Sequence, residues 1–236
     1  MAVLAACFLM TGCATMPAIE GPQDINDPFE SVNRLSFNIS LAFDKGILRP
    51  VAIVYRRIIP EPVRDSVRNF LNNLDSPLIF ANDVLQGETD RAGTTLIRAG
   101  LNTTVGLVGL FDVAGRMGYM RHYEDFGQTL AVYGIGEGPY IFVPLFGPAN
   151  PRDILGWAVD LAFDPLTYAQ WEGKIYWQAG KVSVDFVDLR ARNIETLDDL
   201  EKSSLDFYAS VRSLYRQSRN NEIRNGATEV QDLPDF

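Results

Sequence analysis

From residue 27 onward the apolar positions recur at helical spacing. Phe29, Val32, Leu35, Ile39 and Phe43 fall three or four residues apart, along one side of a helix. Asp27 can cap that helix, Pro28 suits its first position, and Glu30 stands where a capping box closes. Phe37 and Leu41 lie off the stripe and widen the apolar face, so this helix needs burial on two sides or contact with lipid. Pro60-Glu61-Pro62 opens a second helix with Val63, Val67, Phe70, Leu71 and Leu74 on one face. Ser76-Pro77 opens a third that Gly87 can end. No run of strict alternation competes, so the N-terminal half reads as α.

The middle of the chain has a different pattern. Residues 99–180 carry only 4 basic and 8 acidic side chains, against 9 and 8 in residues 28–98. Ala99 to Phe111 is free of charge, and Thr129 to Pro151 holds Glu137 alone, together with four glycines and four prolines. Those prolines forbid a transmembrane helix there, and no stretch reaches a clean apolar span. Such segments suit a sheltered core or helices partly sunk in a membrane interface. Gly106 and Gly109 in the first of them allow core packing, close helix approach, or a backbone-lined passage. Residues 185 to about 216 read as charged amphipathic helix, and 217–236 as a flexible acidic tail.

The N-terminus is an address. Residues 2–10 are apolar and too short to span a bilayer, and Thr11-Gly12-Cys13 follows at once. That is the pattern of a lipoprotein signal cut before the cysteine, so residues 1–12 are expected to leave and Cys13 to carry lipid. Residues 13–26 then form a lipidated tether and 27–216 the folded domain. Removal of Cys7 and acylation of Cys13 leave no thiol for a disulfide, a metal or a nucleophile.

The net charge of −9 argues against a nucleic-acid partner, because phosphate neutralisation needs a basic face. No Gly-x-Ser-x-Gly elbow, phosphate loop, HExxH or paired-cysteine zinc spacing occurs, so no catalytic or metal residue is assigned and no cofactor is expected. The one histidine, His122, could serve a membrane-anchored lipid hydrolase with Glu124 or Asp125, which keeps that alternative open. Arg49, Arg56 and Arg57 could form a phospholipid head-group patch, or a solvated face with internal carboxylate partners. Gly134 and Gly136 read as a turn or hinge rather than a phosphate cradle, since Pro139 withholds a backbone donor.

Several strings carry a family resemblance: Asn26-Asp27-Pro28-Phe29-Glu30-Ser31-Val32-Asn33-Arg34, Phe37-Asn38, Arg49-Pro50-Val51-Ala52, Asn69-Phe70-Leu71-Asn72-Asn73-Leu74, Asp112-Val113-Ala114-Gly115, Phe126-Gly127-Gln128-Thr129-Leu130 and Tyr133-Gly134-Ile135-Gly136-Glu137-Gly138-Pro139-Tyr140. In this order the chain resembles the MlaA (VacJ) outer-membrane lipoproteins over roughly residues 26 to 180. The resemblance implies a mainly α, single-domain ring of amphipathic and interfacial helices around a central channel. It implies a protein tethered on the periplasmic side of the outer membrane beside a trimeric porin. Phospholipids that stray into the outer leaflet would pass through the channel to a periplasmic carrier, with no enzymatic step. On the family pattern Phe37 and Asn38 lie near the channel, and Gly134 and Gly136 match a hinge beside it. A lipoprotein that only scaffolds porins is the other alternative.

Overall fold

The structure is a computed structural model that describes residues 26–226. The expected signal peptide, Cys13 and residues 14–25 of the tether lie outside the described residues. The first helical segment is one unbroken rod: α1 (Glu30–Phe43), a π-helical turn (Asp44–Leu48) and α2 (Arg49–Ile58). The wider turn sits just where Pro50 can neither donate a hydrogen bond nor tolerate a tight carbonyl behind it. Asp27 does not cap α1. Its carboxylate accepts from Asn33 at 2.8 Å and from Tyr208 and Arg212 at 2.5 Å each, which ties the chain's start to its last helix.

The rod is followed by α3 (Glu61–Leu74), α4 (Ser76–Gln86) and α5 (Thr89–Thr104), with Gly87 ending α4 in the left-handed region at φ +79°. The short α6 (Val113–Arg116) and α7 (Phe126–Val132) are capped by the side chains of Asp112 and Asp125. The uncharged, proline-rich stretch then forms an antiparallel hairpin, β1 (Ile141–Val143) and β2 (Gly147–Ala149), with Phe142 opposite Pro148. Three-residue strands are too short for a period of two to show in the sequence. The remaining helices are α8 (Pro151–Phe163), α9 (Lys174–Arg192), α10 (Ile194–Ser203) and α11 (Phe207–Ile223). Of the acidic tail expected over residues 217–236, residues 227–236 lie outside the described residues. Residues 217–223 complete α11, because Arg219 on its inner face is buried against two carboxylates.

The fold is mainly α in a single domain, and its packing closes on itself. The rod packs on β1, β2 on α11, α11 on α7, α7 on α4, α4 on α3, α3 on α9, and α9 back on α2. Where α7 crosses α8, a Cβ on Gly156 would fall 2.4 Å from the backbone nitrogen of Gly127, so both helices need glycine to approach this closely.

The distribution of polarity is the reverse of an ordinary domain. Among the described residues, 12 hydrophobic side chains are buried against 18 polar or charged ones. The stripe identified on α1 points outward: Val32, Leu35 and Ile39 are 63%, 62% and 52% exposed, and Ile47, Val51, Val54 and Ile58 continue it along the rod. An apolar band of this length on the outside suits a lipid surface rather than water. Among the described residues, no helix is long and apolar enough to cross a membrane.

Candidate functional site

The buried polar groups fall into closed networks. In the seam under α11, Arg219 donates to both oxygens of Asp125 at 2.6 and 2.7 Å and to Asp153 at 2.9 Å. Tyr215 adds a 2.5 Å bond to Asp153. Burial opposes the charge on Asp125, but the Arg219 bonds outweigh it and hold the carboxyl below its usual range. Beneath α4 and α5, Asp83 accepts from Thr95 at 2.7 Å, and His122 lies 3.0 Å from it. Glu124 is bound by Arg91 and Gln86.

A second set of charged groups is arranged differently. Asp75, Asp160, Asp164 and Lys181 surround a cavity of about 250 Å³ between α8 and α9, whose apolar walls include Leu74, Leu78, Trp157 and Leu161. Lys181 donates to Asp75 at 2.7 Å; burial works against its charge, and Asp75 more than compensates. Tyr123 on the same cavity keeps 47% of its surface accessible, yet loss of solvation pushes its phenol well above the usual range. Arg121 and Asp185 show the same pair of properties. Both are exposed, and loss of solvation lowers the pKa of Arg121 and raises that of Asp185. On the outer surface the pattern differs: exposed Glu195 owes its shift first to the hydrogen bond from Arg56. Tyr123 and Lys181 thus share a partly desolvated cavity with Asp75, Asp160 and Asp164.

A separate, smaller polar cavity is lined by Asn69, Asn72, Asn73 and Ser76, which share one face of α3 and the start of α4, and by Arg98 and Arg121. The site is amphipathic, with charges and amides on some walls and leucines and a tryptophan on others. Among the described residues, no group of histidine, cysteine, aspartate and glutamate could hold a metal ion.

The residues singled out from sequence mostly lie elsewhere. Phe37 packs edge-on against Phe142, Phe207 and Tyr208 in the aromatic core, and Asn38 beside it is exposed on the outside of α1. Neither reaches the α8–α9 cavity. Gly106 and Gly109 are buried for close packing: a Cβ on Gly106 would meet Phe111 O at 2.3 Å, and one on Gly109 the Asn73 side chain at 2.5 Å. Gly134, at φ +83°, ends α7 with bonds from Gly134 N to Ala131 O and from Ile135 N to Leu130 O. Gly136 has open space around it.

The arginine patch is largely neutralised within the chain. Arg49 makes a two-pronged bond to Asp198, and Arg56 pairs with Glu195, so α10 covers the charges that a head group would need. Of the three, only Arg57 makes no ion pair among the described residues. The hydrolase grouping is not assembled either. His122 directs its Nε2 at both Asp83 and Thr95, whereas a base relaying between carboxylate and nucleophile uses opposite ring nitrogens. Glu124 and Asp125 are committed to Arg91 and Arg219.

The comparisons with known proteins fit this geometry. A family model described as MlaA lipoprotein matches residues 25–222. The chain belongs to the MlaA lipoprotein family. Its MlaA relatives include the "Intermembrane phospholipid transport system lipoprotein MlaA" of Shigella flexneri and of Escherichia coli K12, each 32% identical over 96% of this chain and 89% of the relative. An uncharacterized protein of Rickettsia bellii is 34% identical over 87% of this chain and 80% of its own length. One solved MlaA-like chain, from work on the structural basis for maintenance of bacterial outer membrane lipid asymmetry, has a TM-score of 0.76 and 35% identity. It aligns over 84% of this chain and 98% of its own length.

Asp75, Arg121, Tyr123 and Lys181 were not legible as a site in the sequence. The available signal was Asn69, Asn72, Asn73 and Ser76 on one helical face, together with Arg121 standing in the charge-poor third of the chain.

Proposed function

We propose that this chain is a lipid-anchored phospholipid translocation component on the periplasmic side of the outer membrane, with no enzymatic step. It takes phospholipids out of the outer leaflet and passes them through a lumen that includes the α8–α9 cavity to a periplasmic carrier, beside a trimeric porin. One observation carries this reading: an amphipathic cavity walled by Asp75, Lys181, Leu78 and Trp157 in a molecule whose first helical rod exposes an apolar band. The band would hold the protein among acyl chains, while the charged walls replace the water around a head group. A lipid in the wrong leaflet can then move down its own free-energy gradient without a nucleotide. The names of the MlaA relatives support the same reading.

The test is the amount of phospholipid in the outer leaflet of cells lacking the gene. It should rise, fall back on complementation with the wild-type chain, and stay high with Cys13→Ala. An unchanged outer leaflet would remove the transport reading and leave a porin scaffold.

A further inference from the structure

The loop between α5 and α6, residues 105–111, is built against its own preferences. Leu107 and Val108 stand side by side at φ +52° and +60°. That region is uncomfortable for any side chain and most of all for a β-branched one, so the pair stores strain. Hydrogen bonds hold it in place. Val108 N–H donates to Thr103 O at 2.9 Å, Gly109 N–H to Asn102 O at 2.7 Å, and Phe111 N–H to Gly106 O at 2.9 Å. The strain achieves display: Val105, Leu107, Val108, Leu110 and Phe111 are all exposed, and no charge stands between Ala99 and Phe111. Five large apolar side chains held outward by a strained backbone make a contact surface, since stability alone would turn them inward.

This surface is fixed to the polar cavity lined by α3 and α5. A Cβ on Gly109 would fall 2.5 Å from the Asn73 side chain, so glycine lets the loop lie directly on Asn73. Asn73 Nδ2 in turn donates to Thr103 Oγ1 at 2.9 Å. Asn73 and Asn102 therefore support the loop and line the cavity at once. Inside the cavity Arg98 is answered by Asp112. Among the described residues, the side chains of Asn69, Asn72, Ser76 and Arg121 make no hydrogen bond or ion pair. A guanidinium without a carboxylate partner, beside free amides and a hydroxyl, is a donor set that suits a phosphodiester.

A molecule that satisfies both halves carries a phosphate on an apolar body. We infer that the polar cavity and the 105–111 loop together form one site for a single phospholipid, the cavity taking the phosphodiester and the loop the start of the acyl chains. This rests on the proposed lipid-handling role and deepens it, by adding a place separate from the α8–α9 cavity where a lipid is held at both ends. The strained backbone keeps Leu107 and Val108 out of the protein's own packing and free for the chains.

The test uses the full lipidated chain in a phospholipid-free detergent. Its probes are short-chain phosphatidylglycerol, glycerophosphoglycerol, which has the same head group without chains, and diacylglycerol, which has the chains without phosphate. Wild type should bind the phospholipid at least tenfold more tightly than either half. The double variant Leu107→Asn/Val108→Asn removes the apolar contact but suits the backbone, because asparagine enters the left-handed region more readily than leucine or valine. It should melt no lower than wild type, bind phosphatidylglycerol about tenfold more weakly and bind glycerophosphoglycerol unchanged. Asn69→Ala/Asn72→Ala should weaken both phosphodiesters about tenfold and leave diacylglycerol unchanged.

If wild type binds phosphatidylglycerol and the loop variant binds it equally well, the acyl contact is wrong, the lipid path stands, and the loop is left to a protein partner. A loop variant that melts lower than wild type would show that the two side chains pack within the protein, and would overturn their role as an open contact. Unchanged phospholipid binding by Asn69→Ala/Asn72→Ala would remove the cavity from the site. Glycerophosphoglycerol binding as tightly as the lipid would assign the cavity to a soluble phosphodiester and overturn the joint site. No binding of any probe by wild type would overturn the lipid-path reading and this site with it.

Discussion

The seam beneath α11 and the wall of the lumen both withdraw charge from bulk water, but they settle it differently. In the seam every ion has its partner: Arg219 bridges Asp125 and Asp153, and Arg212 reaches Asp27. At the α8–α9 cavity Lys181 is paired with Asp75, while among the described residues Arg121 and Asp185 make no ion pair. A closed network gives rigidity, because removing either partner strands the other in a poor solvent. An open charge adds nothing to the fold and remains available to a passing molecule. Arginine therefore has two meanings within this one chain, buried with its partners at Arg219 and exposed without an ion pair among the described residues at Arg121.

The comparison breaks most visibly at Arg219. Arg219→Ala strands the buried carboxylate of Asp125 and should destabilise the protein by about 3–5 kcal/mol, read from denaturant unfolding in detergent. A loss as small as that of a surface substitution would mean the seam is not closed.

Asp160 belongs to both regions. It sits on the cavity wall, and burial, opposed by its bond from Asn82, pushes its carboxyl up to about 6. An acid with a higher pKa folded than unfolded binds a proton on folding, so stability should decline as pH rises from about 4 to about 6. Asp160→Asn keeps an acceptor for the Phe126 backbone N–H and should abolish that decline, a gain of roughly 1–3 kcal/mol at neutral pH. The check is the unfolding midpoint of both proteins across that pH range.

Smaller effects separate a helix cap from a hinge. Gly134→Ala places a side chain at φ +83° and should cost about 1 kcal/mol. Gly136→Ala meets nothing within 4 Å and should leave the melting midpoint unchanged. If Gly136→Ala nevertheless slows clearance of outer-leaflet phospholipid, the segment moves during transport; unchanged clearance would remove the hinge. The smallest effect is expected at Arg56→Gln. Its partner Glu195 is exposed, and the midpoint should not move on unfolding in physiological salt.

Much of the helical framework was legible in the sequence. Phe29, Val32, Leu35 and Ile39 marked α1, Pro60 and Gly87 bounded α3 and α4, and the missing strand pattern excluded a large sheet. The outward stripe was also legible as a choice between double burial and lipid. The family resemblance puts Phe37 near a channel; in the structure it belongs to the aromatic core, the inner contact of a helix whose larger apolar face goes outward. For Arg49 and Arg56 on α2 the structure shows the second of the two readings open in the sequence, internal carboxylate partners, which come from α10 about 140 residues away.

The sequence by itself determined the local elements, the family and the expectation of a lipid anchor. Those rest on spacing, caps and strings of neighbouring residues, which short-range physics can read. Only the tertiary structure decided which charges are answered and which stay open. Asp75 meets Lys181 and Arg219 meets Asp125 across about a hundred residues, and Arg121 is known to be open only once every other helix is in place. Pairing in a desolvated space depends on distances between remote segments, and the order of residues along the chain does not encode those distances directly.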